Sequence, residues 1–296
     1  MTLFTSEIIN GLVLASFFAL VAGGLALIFG VVGIVNFAHG DFVMIGGYFF
    51  YDFYVALHMP YALAIVVTIG ATALLGSVIY WVLLRHLIER PWYAQLVATL
   101  ALSILFENIA QAIWSPTPRS VLTPATLNPV FKISSVNVTL QEIYIVIGTA
   151  VCLLILWGLV SHTRWGKAMR ALSQNREACF VTGINMNLVA VMAFAIGTGM
   201  CGLAACLVLP MQDVDPTVGL SFTTQAFVVV ILGGMGSVKG ATLAAIIVGL
   251  VDALAAGYIS SAYTDGFGYV VMILILLVRP TGLFGARTQG AGAVAL

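Results

Sequence analysis

The stretch from Glu7 to Phe29 reads EIINGLVLASFFALVAGGLALIF, with no charged side chain after its first residue. Its length matches the roughly 20 apolar residues that a helix needs to cross about 30 Å of hydrocarbon. A helix also satisfies the backbone internally, as lipid demands. Comparable runs follow at about 41–57, 61–84, 94–114, 139–161, 188–211, 222–235, 240–259 and 267–278. They predict an all-α, polytopic helical membrane protein of eight or nine transmembrane spans, forming a single membrane domain over residues 1–296.

Composition agrees. The chain is 61% hydrophobic and 7% charged, whereas soluble domains carry roughly a quarter charged residues. So few charges cannot coat a soluble globule of 296 residues. Eleven basic residues balance eleven acidic ones, which leaves no excess for nucleic acid. The first run lacks the basic opening and cleavage site of a secretory signal, so it is expected to stay as a helix. Cys152, Cys179, Cys201 and Cys206 form no CxxC pair and lie mostly in apolar runs; neither a disulfide nor a metal site is expected.

Orientation follows from where the basic residues sit. Arg85 and Arg90 share one loop, Arg164, Lys167, Arg170 and Arg176 a second, and Arg279 and Arg287 the tail. Short loops rich in Lys and Arg stay cytoplasmic, so these three places must face the same side. Counting back puts the amino terminus outside and makes 115–138, with Pro116, Pro118, Pro124 and Pro129, an external loop. Two glycine-dense breaks, Gly30-Val-Val-Gly33 and Gly233-Gly-Met-Gly236, leave the parity open, because either could mark a broken or re-entrant element. Gly30, Gly33, Val35 and Ala38 recur at the spacing of Gly233, Gly236, Val238 and Ala241. Transporters often place their pathway at broken helices related by such repeats.

Two polar groups interrupt the apolar pattern. Asn36-Phe-Ala-His39-Gly40-Asp41 lies between two spans, where polar side chains must be buried in protein or line a cavity. The alternative is a cytoplasmic turn whose Asp41 caps the next helix. Thr99, Ser103, Glu107 and Gln111 recur every four residues and make one polar stripe on a helix, with Asn108 adjoining it. That stripe reads either as a pathway surface or as an interhelical hydrogen-bond seam, and the seam is favoured. Asp252 poses the same question in a later span.

The segment 162–187 is the one sizeable cytoplasmic loop expected. Trp165, Met169 and Leu172 share one helical face while Arg164, Lys167 and Arg170 face elsewhere, which describes an amphipathic interfacial helix. Asn175 can cap a short helix, Glu177 complements its positive end, and Gly183 can close it in the left-handed conformation.

Gly197-Thr-Gly199-Met-Cys-Gly202 matches the GxGxxG string of dinucleotide-binding turns. That motif needs a strand before it and an exposed helix start, and here it sits inside an apolar span. Close helix packing is the better reading. No GxxxxGK[ST] string occurs, so energy for transport would come from partner subunits or an ion gradient.

Four stretches together resemble a known family. LIFGVVGIVNFAHG (27–40), NREACFVTGIN (175–185), VILGGMGSVKGA (230–241) and RPTGLFG (279–285) are similar, in order and spacing, to branched-chain amino acid ABC transporter permeases of the LivH type. The resemblance covers nearly the whole chain. It implies a permease subunit in the bacterial inner membrane, itself no enzyme and holding no cofactor. Its implied partners are a second permease of the LivM type, two cytoplasmic ATPase subunits that bind ATP and Mg, and an extracytoplasmic binding protein. Glu177-Ala178, with Gly183 beyond, resembles the EAA loop that docks into the ATPase, although Cys179 stands where a second alanine is usual. On this reading Asn175, Arg176, Glu177, Ala178, Phe180 and Gly183 form the coupling site. Asn36, His39, Asp41, Thr99, Ser103, Glu107, Asn108, Gln111, Gly233, Gly236 and Ser237 are the candidates for pathway or gate.

Two other classes compete. A cation-coupled carrier would use several intramembrane carboxylates, and only Glu107 and Asp252 clearly qualify. An intramembrane enzyme would need paired metal ligands or a nucleophile and base, but His39, His58, His86 and His162 are scattered near span ends. Relatives of this type carry leucine, isoleucine and valine, or urea, short amides or aromatic acids, and no residue here selects among them.

Overall fold

The computed structural model describes residues 2–121, 129–133, 136–260 and 264–284. Arg287 and, in the 115–138 loop, residues 122–128 and 134–135 lie outside them. Eleven α-helices are described: α1 (Thr2–Val32), α2 (Asp41–Tyr51), α3 (Tyr61–Val82), α4 (Trp92–Trp114), α5 (Leu140–His162), α6 (Arg164–Gln174), α7 (Arg176–Val181), α8 (Met186–Val208), α9 (Val218–Gly233), α10 (Val238–Tyr258) and α11 (Thr264–Val278). The fold is the expected all-α polytopic one. By length and composition α1, α3, α4, α5, α8 and α10 can cross a membrane, while α9 and α11 are shorter apolar helices. With α2 they account for the nine apolar runs of the sequence.

Helix α1 is the hub, flanked by α8, α9 and α10. Lipid offers no hydrophobic drive for helices to associate, so close van der Waals approach through small residues holds them together. A Cβ on Gly24 would lie 2.6 Å from the Gly197 carbonyl, and one on Gly249 would lie 2.5 Å from the Ala15 nitrogen. On the other side of α8, Gly202 sits against Thr72 and Gly76 against Thr198. The glycines of the GxGxxG string thus serve packing. Toward the periphery, Val66, Leu74, Val97, Ile104, Ile147 and Leu154 are exposed on α3, α4 and α5, as a lipid-facing surface requires.

The second span is broken. Gly33 leaves α1 with φ 76°, and the chain then turns back along the bundle, so that His39 reaches the Val21 carbonyl, well inside α1. Helix α2 starts from that interior level and ends in a π-helical turn, Asp52–Ala56. Asp52 there accepts the Trp114 indole N–H at 2.8 Å.

Arg85, Arg170, Arg176, Lys239 and Arg279 gather at one end of the bundle. Arg85 and Arg176 line one groove there, and Arg170 and Lys239 line a neighbouring cleft. Leu283, just past Arg279, bonds the carboxyl end of α9 at the same level. At the opposite end Arg119 and Val214 exchange backbone hydrogen bonds of 2.8 and 2.9 Å. The sequence reading missed a hairpin there, in which Val130–Ile133 pairs antiparallel with Val136–Thr139. Thr139 then opens α5 through a capping box with Glu142.

Candidate functional site

The turn between α1 and α2 is buried and polar. Asn36 and His39 are fully buried and Asp41 is 2% exposed. The Asn36 carboxamide oxygen accepts the Ala38 N–H at 3.1 Å, which holds the turn locally. His39 Nε2 lies 3.0 Å from the Val21 carbonyl, and because a carbonyl only accepts, that nitrogen carries the proton. Cys201 of α8 lies 3.3 Å from the same nitrogen. The Gly40 N–H donates to the Thr223 hydroxyl at 2.8 Å, and Gly219 leaves the space that the Asp41 carboxylate fills. Thr223 and Gly219, which sequence reasoning did not single out, bring the amino end of α9 against that of α2. Their spacing of four along an apolar helix was the signal available.

Asp41 also joins the turn to the polar stripe of α4. Ser103 and Glu107 both stand near enough to its carboxylate to act on it. Gln111 donates to Glu107 at 3.1 Å one turn further on. Thr99 is buried and bonds the Gln95 carbonyl at 3.0 Å, with the Val35 carbonyl 3.4 Å away. Thr99, Ser103 and Glu107 of the stripe thus face the turn, and Gln111 continues it by bonding Glu107. Asn108 does not join it: it is exposed, and its amide bonds the Ile104 carbonyl of its own helix at 2.7 Å. Asp252 is buried elsewhere, between α10 and α11 and facing Gly268.

Asn36 Nδ2, His39 Nδ1 and Asp41 Oδ2 are buried with no hydrogen-bond partner among the described residues. A buried polar group without a partner costs about 1–3 kcal/mol, and these three fall within one turn.

The second glycine break lies apart from this cluster. The repeated glycine spacing predicts that Asn36–Asp41 and Gly233–Ala241 meet near the pathway, but the turn meets the opposite end of α9 through Gly219 and Thr223. What Gly236 touches is Gly30: a Cβ on Gly30 would lie 2.9 Å from the Gly236 carbonyl oxygen. Ser237 caps α10 by accepting the Gly240 N–H at 3.1 Å. The carbonyls of Leu232 and Gly233, left open where α9 stops, accept the N–H groups of Leu283 and Phe284 at 2.9 and 3.0 Å. The RPTGLF stretch is therefore a structural clasp for the end of α9.

The loop 162–187 contains α6 and α7. Met169 and Leu172 of α6 are buried, while Trp165 is 43% exposed. Gly166 is pressed against the Val160 carbonyl at the α5–α6 corner, and the exposed Trp165 beside it suits an interfacial helix. Helix α7 has the expected ends. The Asn175 side chain accepts the Ala178 N–H at 3.0 Å. Gly183, at φ 73°, donates to Phe180 and Ile184 donates to Cys179, the paired bonds of a Schellman ending. Cys179 is buried and anchors the helix, whereas Phe180 and Val181 are 76% and 85% exposed. Glu177 and Ala178 share that open face. Arg176 reaches away from it and donates to the carbonyl of Val32, the last residue of α1.

The profile of the family described as branched-chain amino acid transport system / permease component matches residues 7–276. The chain is 30% identical to the high-affinity branched-chain amino acid transport system permease protein LivH of Salmonella typhimurium, over 95% of this chain and 96% of that protein. Its similarity to BraD of Pseudomonas aeruginosa, named likewise, is also 30% over 95% and 96%. A shorter likeness, 31% over 41% of this chain and 40% of its relative, links it to the ribose import permease protein RbsC of Escherichia coli. No solved structure matches. The matched region runs from α1 into α11 and includes both the buried turn and the exposed helix, so this multi-pass membrane protein belongs to the branched-chain amino acid transport system permease family.

Proposed function

We propose that the chain is the membrane-spanning permease of an ABC importer for branched-chain or related hydrophobic amino acids, working with a second permease of the LivM type. Two cytoplasmic ATPase subunits supply ATP hydrolysis and hold ATP and Mg; an extracytoplasmic binding protein delivers the substrate. The observation that carries this reading is α7. A helix of six residues is too short to hold itself together in water, yet here it is capped, closed and anchored by Cys179. It presents Phe180 and Val181 to solvent at the basic end of the bundle. Exposed apolar side chains on a rigid mount are how a helix enters a partner's groove. The Arg176 bond to Val32 gives that helix a direct link to the glycine break after α1.

On this account the buried turn and its seam with α4 lie beside the pathway. Relatives carry the name of branched-chain amino acid permeases, which supports that substrate class; urea, amides and aromatic acids are the alternatives within the same architecture. A cation-driven carrier is the competing mechanism. The test is uptake of radiolabelled leucine by vesicles containing both permeases, the ATPases and the binding protein. Uptake should require ATP and the binding protein, and uptake driven by a sodium or proton gradient without the ATPases would contradict the reading.

A further inference from the structure

A cleft of about 380 Å³ opens at the basic end of the bundle between α5 and α6 on one side and α1 and α10 on the other. Its mouth carries Arg170 and Lys239 with Ser161, Ser173 and Thr242. Its deeper wall is apolar, formed by Leu27, Val31, Leu153 and Leu156. No Asp or Glu is among the lining residues. The first turn of α10 also opens on it, and the amino end of a helix adds partial positive charge there.

We infer that this cleft holds an anionic phospholipid, with the phosphate between Arg170 and Lys239 and an acyl chain along the apolar wall. Three observations select that occupant. The mouth is cationic without a neighbouring carboxylate, so its charge complements a phosphodiester, and basic pockets between transmembrane helices on the cytoplasmic side suit such headgroups. The flanks are lipid-facing, since Leu154 on α5 and Leu243 and Ile246 on α10 are exposed apolar residues. Trp157, also lining the cleft, is 51% exposed near the basic end of α5, the depth at which indoles settle in the interface. A free anion would use the mouth and leave the wall empty. The lipid would tie α5 and α6 to α1 and α10 beside the Gly30–Gly236 contact.

The inference is independent of the substrate and of the coupling mechanism. It is tested by native mass spectrometry of the assembled transporter, titrated with phosphatidylglycerol or with phosphatidylcholine of the same acyl chains. Phosphatidylglycerol should be retained selectively, and Lys239→Glu should weaken its retention about tenfold. Lys167→Glu, an exposed charge on α6 that does not line the cleft, should change it less than about twofold. Lys239→Gln gives the same comparison with a smaller expected loss, about fivefold, should the reversal prevent assembly. Excess inorganic phosphate should not displace the lipid. Equal retention of the two lipids, an equal effect of Lys167→Glu, or displacement by phosphate would each overturn the assignment.

Discussion

Gly30 and Gly236 touch backbone to backbone: a Cβ on Gly236 would lie 3.2 Å from the Gly30 Cα, and one on Gly30 would lie 2.9 Å from the Gly236 carbonyl oxygen. The contact joins the ends of α1 and α9, each of which stops at a glycine-rich break. It predicts a contrast. Gly30→Val should part the two backbones and abolish uptake. Gly33 has no atom within 4 Å of where its Cβ would stand, and only its φ of 76° opposes a side chain. Gly33→Ala should therefore assemble normally at a cost of about 1–2 kcal/mol. Uptake and thermal stability of the two purified variants check this; normal transport by Gly30→Val would refute it.

The Gly40 N–H and the Thr223 hydroxyl hold the amino ends of α2 and α9 together. Thr223→Val keeps the shape and leaves a buried donor unpaired, which costs about 1–3 kcal/mol. Thr223→Ser keeps the bond. Melting of the solubilised protein should fall for the valine variant and stay near wild type for serine. Equal melting of the two would remove the hydroxyl from the account.

Much of this was legible in the sequence. The apolar runs gave the spans, Asn175 and Gly183 gave both ends of α7, and the basic loops proved to share one end of the bundle. Less legible was what meets what. The stripe on α4 and the Asn36–Asp41 turn read as separate features, because nothing in either shows that Ser103 reaches Asp41 across two helices. The repeated glycine spacing was half informative: Gly33 and Gly236 both take positive φ. Yet α10 begins two residues after Gly236, whereas α2 waits until Asp41.

Topology can be read directly. The basic end should be cytoplasmic. With the four native cysteines replaced, Gln174→Cys should resist a membrane-impermeant maleimide applied to intact cells and Ser120→Cys should react; both positions are exposed. The reverse pattern would invert the orientation.

Arg176 ties α7 to the last carbonyl of α1. Arg176→Gln removes the charge-assisted bond and leaves the exposed face of α7 intact. The ATPase should still co-purify, while substrate-stimulated hydrolysis should fall about fivefold or more, as expected when a coupling between sites is lost. Lost co-purification would instead make Arg176 part of the docking surface.

The central claim is that α7 couples this permease to a separate ATPase. Ala178→Asp puts a charge into the proposed contact, and Gly183→Val penalises the left-handed residue that closes the helix. The deciding measurement is uptake together with substrate-stimulated ATP hydrolysis by the double variant, reconstituted in vesicles with its partner subunits and binding protein. The account predicts normal membrane insertion with uptake lost and hydrolysis uncoupled or absent; full retention of both activities would contradict it.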